Sequence, residues 1–522
     1  MAQRRFRPYD PAAPVLLPGD VREYLPPDHL VFLLSDLVDE LDLGPITRSY
    51  EQGDGRGQPP YHPVLLTKLL LYAYCDGVTS SRQIARRTSE DLPYWVLCVG
   101  QHPDFRTISD FRERHLAAFQ DLFVQVVRLA QRLGLARLDH VAQDGTKVLA
   151  NASKHKAMSY GRMGPTIAKL EGEIAGLLAQ ARAADAEEEG RYGAGASGDE
   201  VPAELAGEVA FRQRRLDRIR AAQAHLEAEA QAAADATRAA DAAELARRAE
   251  TGEPGKPGRV PQPADTPDPT AQVNFTDGDS RILKTSDDAF LQGYNGQVAV
   301  DSAHQIVVAC ELTNLAADSP HLPGLVAQVA QTCGRLPDQW SADGGYFCLE
   351  NLAVLRAAGV ASFIAPGRLH PTRLVGDCQI TRLDTPAYRA AAQMAATLAT
   401  PTGRATYSLR KETAEPVFGQ AKEGRGLRRL RCRGLLKAQG EWALWWLTHN
   451  LGKLARQRRA QPGQAAAPRP LRHAAWALPR AGTAFAPTAQ RRWERPFRLP
   501  SSLRAGRYSI IPLHAILSQT NS

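Results

Sequence analysis

HVAQDGTKVLA, residues 140–150, is where the chain stops reading as helix and begins to read as strand. Before it, apolar residues recur at helical spacing. From residue 137 onward, short β-favouring runs are separated by turn residues. QWSADGGYF (339–347) and VASFIAP (360–366) are two more such runs. YNGQVAVDSAHQIVVACELT (294–313) reads as a hairpin turning at Asp301-Ser302-Ala303-His304. HLPGLVAQVAQTCG (321–334), ENLAVLRAAG (350–359) and AYRAAAQMAATLA (387–399) supply the helices. With residues 165–250 set aside, the order is β-β-β-α-β-α-β-α. That is the pattern of an α/β domain.

Outward from this domain the chain divides by composition. Residues 1–20 are Pro-rich and expected to be extended. Residues 21–136 read as an all-α N-terminal domain for DNA binding or assembly. EYLPPDHLVFLLSDLVDELDL (23–43) places Leu30, Phe32, Leu33, Leu37 and Leu41 close to helical spacing, and HPVLLTKLLLYAYCDGV (62–78) is apolar enough for core. TSSRQIARRTSEDLPYWVL (79–97) carries Arg82, Arg86 and Arg87 on one face. It fits either a helix-turn-helix pair or a packed helix with a solvated basic face. DFRTISDFRERHLAAFQDLFVQVVRLAQRLGL (104–135) is expected to be one helix, opened by a Thr107-x-x-Asp110 capping pattern. Residues 137–164 hold the first part of the α/β domain and 272–459 the remainder. Between them, 165–250 is Ala- and charge-rich. Ile167, Leu170, Ile174 and Leu177, then Val209, Leu216, Ile219 and Leu226, predict an inserted, coiled-coil-like α-helical hairpin. Residues 251–271 are a Pro/Gly linker. Residues 460–522 form a Pro/Arg-rich tail, with Arg491, Arg492, Arg495 and Arg498 around Trp493.

A length of 522 residues implies more than one domain. The formal charge of +8 favours a polyanionic partner without proving one. Its placement says more, because Lys and Arg concentrate after residue 420. Seven cysteines lack any Cys-x-x-Cys or Cys/His ligand spacing, which argues against zinc and for reduced thiols. No signal-peptide core follows the N-terminus and no apolar run approaches membrane-spanning length, so a cytoplasmic address is expected.

Three acidic residues in separate segments carry the chemistry: Asp144, Asp343 and Glu415. Hydrolysis or strand transfer at a DNA phosphate is an in-line displacement. Two metal ions about 3.5–4 Å apart can activate the attacking oxygen and stabilise the leaving one. Mg2+ takes hard oxygen ligands, and Mn2+ can substitute, so two Asp and one Glu suffice without His or Cys. Lys422 lies two helical turns beyond Glu415, positioned to hold a DNA backbone. Arg425, Arg428, Arg429, Arg431 and Arg433 extend the positive surface. The blander reading makes Asp144 and Asp343 turn or cap residues, although Gly344-Gly345 would let a backbone or ligand come close. Glu412 competes with Glu415 but has the wrong spacing to Lys422. Asp277, Asp279, Asp287 and Asp288 read as loop and cap residues. Lys154, His155 and Lys156 form a basic loop. Trp442, Trp445 and Trp446 have helical spacing, which favours core packing over base stacking.

Several blocks together carry a family resemblance: YHPVLLTKLLLYAYCDGVTSSRQIAR (61–86), AQDGTKVLANASKHKAMSY (142–160), TDGDSRILKTSDDAFLQGYNGQVAVD (276–301), SADGGYF (341–347) and AEPVFGQAKEGRGLRRLRCRGL (414–435). The chain resembles DDE-type transposases of bacterial insertion sequences that have a helical N-terminal domain. The resemblance spans roughly residues 15–165 and 272–455. It implies a ribonuclease H-like mixed sheet, in which the first and fourth strands are neighbours and Glu415 lies on a later helix. It implies Asp144, Asp343 and Glu415 as a triad for Mg2+, two ions by the family's chemistry, with Mn2+ as substitute. It also implies a Tyr-x2-Arg-x3-Glu-x6-Lys signature. Tyr407 and Arg410 keep their spacing, as do Glu415 and Lys422, but Arg410 stands one residue too far from Glu415. Either Lys411 takes the arginine's place or the helix start shifts by one. The implied partner is double-stranded DNA, both the element's terminal repeats and the target. Holding two ends together implies at least a dimer on DNA, on the nucleoid of a bacterial cytoplasm. A transposase-like DNA-binding protein without catalysis, or a metal-dependent nuclease without joining, would be the alternative.

Overall fold

The computed structural model describes residues 20–50, 59–192, 203–251, 264–285, 288–367 and 385–460. The expected N-terminal segment and C-terminal tail, most of the linker, and Asp287 lie outside these residues. A six-stranded mixed sheet forms the centre. β1 (His140–Leu149) lies between two partners of opposite sense. On one side β5 (Phe290–Asp301) runs antiparallel to it, with Asp144 opposite Val298. On the other side β7 (Gln339–Ala342) runs parallel to β1, and β8 (Ala361–Ile364) parallel to β7. β6 (Ile306–Thr313) folds back on β5 as the hairpin pattern predicts. Hence the first and fourth expected strands are indeed neighbours. β5 is buried at every residue from Gln292 to Asp301, so both of its faces are covered.

Three short strands went unforeseen. β4 (Arg281–Lys284) pairs with the start of β5. β2 (Ala157–Ser159) and β3 (Gln272–Asn274) make a separate two-stranded sheet. Runs of three or four residues carry too little periodicity to be read, and their pairing is set by distant segments.

The N-terminal helices are α1 (Leu30–Asp39), α2 (Gly44–Thr47), α3 (Pro63–Cys75), α4 (Ser81–Glu90), α5 (Leu92–Cys98), α6 (Phe105–Arg114) and α7 (Leu116–Arg132). The expected single helix over 104–135 is therefore two. It is also capped by Asp104, whose side chain accepts from the Arg106 amide at 2.8 Å, rather than by Thr107. The break falls at His115, a buried ring packed on Phe111 and Tyr50. On α4, Arg86 pairs with Glu90 and Arg87 with Asp76 and Asp91, which neutralises much of the basic face.

α8 (Tyr160–Tyr192) and α9 (Ala203–Thr251) form the inserted pair, beginning five residues before the expected boundary. Their contact is a small cluster that includes Met163, Leu170, Leu216, Ile219 and Leu226, separate from the main core. Val209 and Leu177 are only half-buried. The C-terminal half adds α10 (Leu322–Cys333), α11 (Leu349–Ala357), α12 (Pro386–Ala399), α13 (Pro401–Gly419) and α14 (Leu435–Ala460).

α14 joins the two halves. Consecutive residues from Gly440 to Leu451 are buried, as expected of a helix covered all round. It packs on α1, α3 and α7 on one flank and on β6 on another. One continuous apolar core runs from Val31 to Ala455. Trp442, Trp445 and Trp446 belong to this core, with at most 1 % of their surface exposed. Asp277 and Asp279 cap the helix start, accepting from the Gly434 amide at 3.1 Å and the Leu435 amide at 2.7 Å.

Within the core, Glu441 is fully enclosed. Its Oε1 accepts from the Tyr74 hydroxyl at 2.9 Å. Its Oε2 accepts from the amides of Arg431 and Cys432 at 2.7 and 2.8 Å. Arg112 donates to the same Tyr74 hydroxyl at 3.2 Å and to the Thr79 carbonyl at 2.8 Å. A buried carboxylate thus binds an N-terminal helix to the arginine-rich segment.

Candidate active site

Two side-chain bonds fix the register of β1 against β7. His140 Nε2 meets Ser341 Oγ at 2.9 Å, and the Trp340 indole N–H donates to Gln143 Oε1 at 3.1 Å. The last paired residues are Ala142 and Ser341. Two positions beyond them, on the same side of the pleat, stand Asp144 and Asp343. Asp144 is still within β1, whereas Asp343 follows the end of β7. Its Oδ1 accepts from the Gly345 amide at 2.8 Å, so it also caps a 3-10 turn, Gly344–Tyr346. The turn is tight: a Cβ on Gly344 would come within 3.0 Å of the Gly367 Cα.

Asp144 keeps 15 % of its side chain exposed. Its carboxyl is pushed up to about 6. Burial is the main cause, the Gly145 amide and Arg410 pull the other way, and Asp343 and Glu415 add repulsion. Glu415 projects from α13 with 54 % of its side chain exposed. The following residue, Pro416, lies inside the helix and cannot donate to the Glu412 carbonyl. Gln305 Nε2 takes that place at 2.8 Å, reaching over from the β5–β6 turn. Glu412, the rival of Glu415, is thereby tied to the fold through its backbone.

Arg410 lies between the acids. Its Nη1 is 3.3 Å from Asp144 Oδ2 and its Nη2 is 3.8 Å from Glu415 Oε1. Its guanidinium carbon sits 5.9 Å from the centre of the half-buried Tyr407 ring. Lys411 is exposed. The arginine facing the acids is therefore Arg410, despite its displaced spacing.

The segment after α13 departs from a simple basic helix. Residues Gln420–Gly424 form one π turn. Lys422, within it, donates to the Thr146 hydroxyl and, at 3.3 Å, to the Lys147 carbonyl, tying the turn to β1. Burial lowers its pKa, with Arg428 adding to the effect. Residues 428–430 then run beside the end of β1. The Leu149 amide donates to the Arg428 carbonyl, and the Leu430 amide to the Leu149 carbonyl. Leu430 and Cys432 turn inward while Arg429, Arg431 and Arg433 face out. Arg429 and Arg433 line a groove with Lys154 and Lys156. Arg431 also donates to the Thr79 hydroxyl at 3.0 Å, and Arg428 pairs with Glu423. Arg425 departs from expectation. It turns inward to the Thr448 hydroxyl at 3.0 Å and the Trp445 carbonyl at 3.4 Å, and is not part of an open positive surface.

Two family models match the chain. Residues 19–114 match a transposase domain (DUF772), and residues 378–455 match a transposase DDE domain. Both are transposase domains, and together they support a DDE-type transposase of an insertion sequence. No match to a curated protein or a solved structure was found. The second matched stretch includes Tyr407, Arg410, Glu415 and Lys422 of the transposase, while Asp144 and Asp343 lie between the two stretches.

A carboxylate that the sequence did not single out lies on the other face of β1, beside Gly145. Asp318 Oδ1 accepts from Asn295 and Gln297, each at 2.8 Å, and lies 3.5 Å from Lys147 Nζ. A Cβ on Gly145 would stand 2.4 Å from Gln297 Nε2 and 3.1 Å from Asp318 Oδ1. Any larger residue after Asp144 would therefore displace the Gln297 and Asp318 side chains. No motif marks Asp318. The only signal was the polar pair Asn295 and Gln297 in the middle of β5.

Among the described residues, no three His, Cys, Asp or Glu side chains stand close enough together to hold one ion. The donor chemistry still suits a hard divalent cation. Three carboxylates influence one another here, and Arg410 supplies the positive charge between two of them. Among the described residues no helix is long and apolar enough to cross a membrane, and their six cysteines are free.

Proposed function

We propose that this transposase binds the ends of its own insertion sequence and catalyses metal-dependent cleavage and transfer of DNA strands on a ribonuclease H-like core. The observation that carries the reading is the parallel β1–β7 pair, from which Asp144 and Asp343 emerge in step. The strand order β6-β5-β1-β7-β8, with the first three antiparallel and the last two parallel to β1, supports the fold assignment.

In this reading Asp144, Asp343 and Glu415 hold Mg2+, or Mn2+ in its place, as a pair of ions. When bound, these would lower the pKa of an attacking water and neutralise charge at the phosphate. Lys422 keeps the turn after Glu415 fixed to β1, the strand of Asp144. Tyr407, Arg410 and Lys411 lie on the Glu415 helix, where they can position DNA. Arg429, Arg431 and Arg433 offer outward cations for phosphates, and Arg428 could exchange Glu423 for one. The helices of residues 21–136 serve DNA binding and assembly. The coiled-coil-like hairpin is a candidate protein contact, since two ends in one complex need at least two protomers. The work would take place on the nucleoid, in the cytoplasm.

A second reading, a DNA-binding transposase without catalysis, draws on the position of Arg410, which already neutralises two of the acids. A cleavage assay on DNA carrying the element's ends decides between them, with binding followed at fixed salt. The first reading expects Mg2+-dependent cutting by the native chain. Asp144→Asn, Asp343→Asn and Glu415→Gln should each bind but not cut. Normal cutting by any one of them removes that acid from the triad. Binding without cutting, in Mg2+ and in Mn2+, favours the second reading.

A further inference from the structure

A cavity of about 180 Å3 lies between α1, α3, the π turn and α14, away from the three acids. Cys75, Gln420, Arg425, His449, Arg456 and Arg459 line it. Its charges do not balance. The Arg425 guanidinium has only neutral partners, the Trp445 carbonyl and the Thr448 hydroxyl. Its Nε is buried and unpartnered. Among the described residues, neither Arg425 nor Arg456 has a carboxylate partner. The one carboxylate lining the cavity, Asp28, is already paired with Arg459 at 2.6 Å. The other titratable groups offer no anion. The Cys75 thiol donates to the Thr448 carbonyl at 3.3 Å, and burial pushes its pKa up to about 12. His449 Nε2 meets the Gln305 carbonyl at 2.9 Å, and burial pushes its pKa down to about 3, leaving a neutral ring at pH 7. Lys453, one turn further along α14, is bound to Gln305 Oε1 at 2.7 Å.

A guanidinium drawn out of water without an anion is an unfavourable arrangement that a bound anion would relieve. The cavity has room, since a water occupies about 30 Å3 of liquid. We propose that this cavity binds a tetrahedral oxyanion of the phosphate type between Arg425 and Arg456. Guanidinium forks match phosphate oxygens, and the unpartnered Nε–H of Arg425 would find an acceptor. Gln420 and Arg425 bracket the π turn that carries Lys422, so the bound anion ties this turn to α14 and α1. Single π turns inside helices recur at functional sites. The proposal needs neither metal nor cleavage, so it stands or falls separately from the function proposed above.

The test uses the full chain and inorganic phosphate, titrated against sodium chloride at constant ionic strength. Thermal unfolding and phosphorus-31 line broadening give the readouts. Phosphate should raise the unfolding temperature beyond chloride and show a broadened bound signal. Arg425→Met and Arg456→Gln should each weaken binding by about tenfold or more, the loss of a charge-assisted contact. Arg456 is exposed, so its variant keeps the test decisive if Arg425→Met does not fold. No rise beyond chloride, or a rise unchanged in Arg456→Gln, overturns the proposal. Saturating duplex DNA then identifies the source. If it displaces the phosphate, the oxyanion is a DNA phosphodiester; if phosphate still binds, it is a free ion.

Discussion

Arg410 Nη1 stands 3.3 Å from Asp144 Oδ2, and the same guanidinium reaches towards Glu415. It is a built-in cation among acids whose proposed work is to hold a metal. Replacing it by glutamine should have two effects. The Asp144 pKa should rise above its present value of about 6, because Arg410 is one of the groups holding it down. Mn2+ should bind more tightly, by roughly tenfold, because a positive charge a few ångströms away is removed. Calorimetric Mn2+ titration of Arg410→Gln checks this. Weaker binding than in the native chain would make Arg410 a support of the site rather than a competitor.

Asp144 makes a prediction about stability and pH. Its carboxyl is held at about 6 against an ordinary value of 3.8, chiefly by burial. Between those values the folded chain binds more protons than the unfolded one. This group's contribution to stability therefore falls as pH rises through the window, and levels off above about 6. Asp144→Asn escapes that loss. Metal-free, it should be more stable than the native chain at pH 7, by at most about 3 kcal/mol, and no more stable at pH 4. Urea unfolding at both pH values would show it, and an equal gain at pH 4 would rule out burial of charge as the cause.

Glu441 is a buried acid of a different kind, enclosed by donors. Glu441→Ala leaves Arg112 without its counter-charge and orphans the Arg431 and Cys432 amides. A loss of about 3–5 kcal/mol is expected. Tyr74→Phe removes one hydroxyl and should cost about 1–2 kcal/mol. Chemical denaturation of the two variants should keep this order.

Gln305 supports the Glu415 helix from outside. Gln305→Ala orphans the Glu412 carbonyl that Pro416 cannot serve, at about 1–2 kcal/mol. The helix holding Glu415 loses a fixed point, so under the proposed mechanism cleavage should fall further than DNA binding. Equal losses in the two assays would contradict this positioning role.

Much of the sheet was legible because β1, the β5–β6 hairpin, β7 and β8 are long or sharply bounded by turns. Their order, taken with the family resemblance, sets the strand of Asp144 beside that of Asp343. What stayed hidden depends on contacts distant in the chain. Nothing local marks His115 as a break, since apolar residues recur at helical spacing on both sides of it. Arg425 reads like its arginine neighbours, but the π turn before it and Gly426 after it, at φ +63°, rotate it inward. Asp318 lacks a motif altogether. Its place beside Gly145 follows only from how Asn295 and Gln297 of β5 face it.

The inserted helices enter and leave through β2 and β3, where Ser159 lies opposite Gln272 and the Tyr160 amide donates to the Ala271 carbonyl. Both ends of the insertion are therefore closed by one rung of a ladder. The hairpin behaves as a graft on this stem. Apart from the Arg281–Glu229 pair to β4, it is held at this stem, so exchanging it for a tight turn is expected to leave the spacing of Asp144 and Asp343 unchanged.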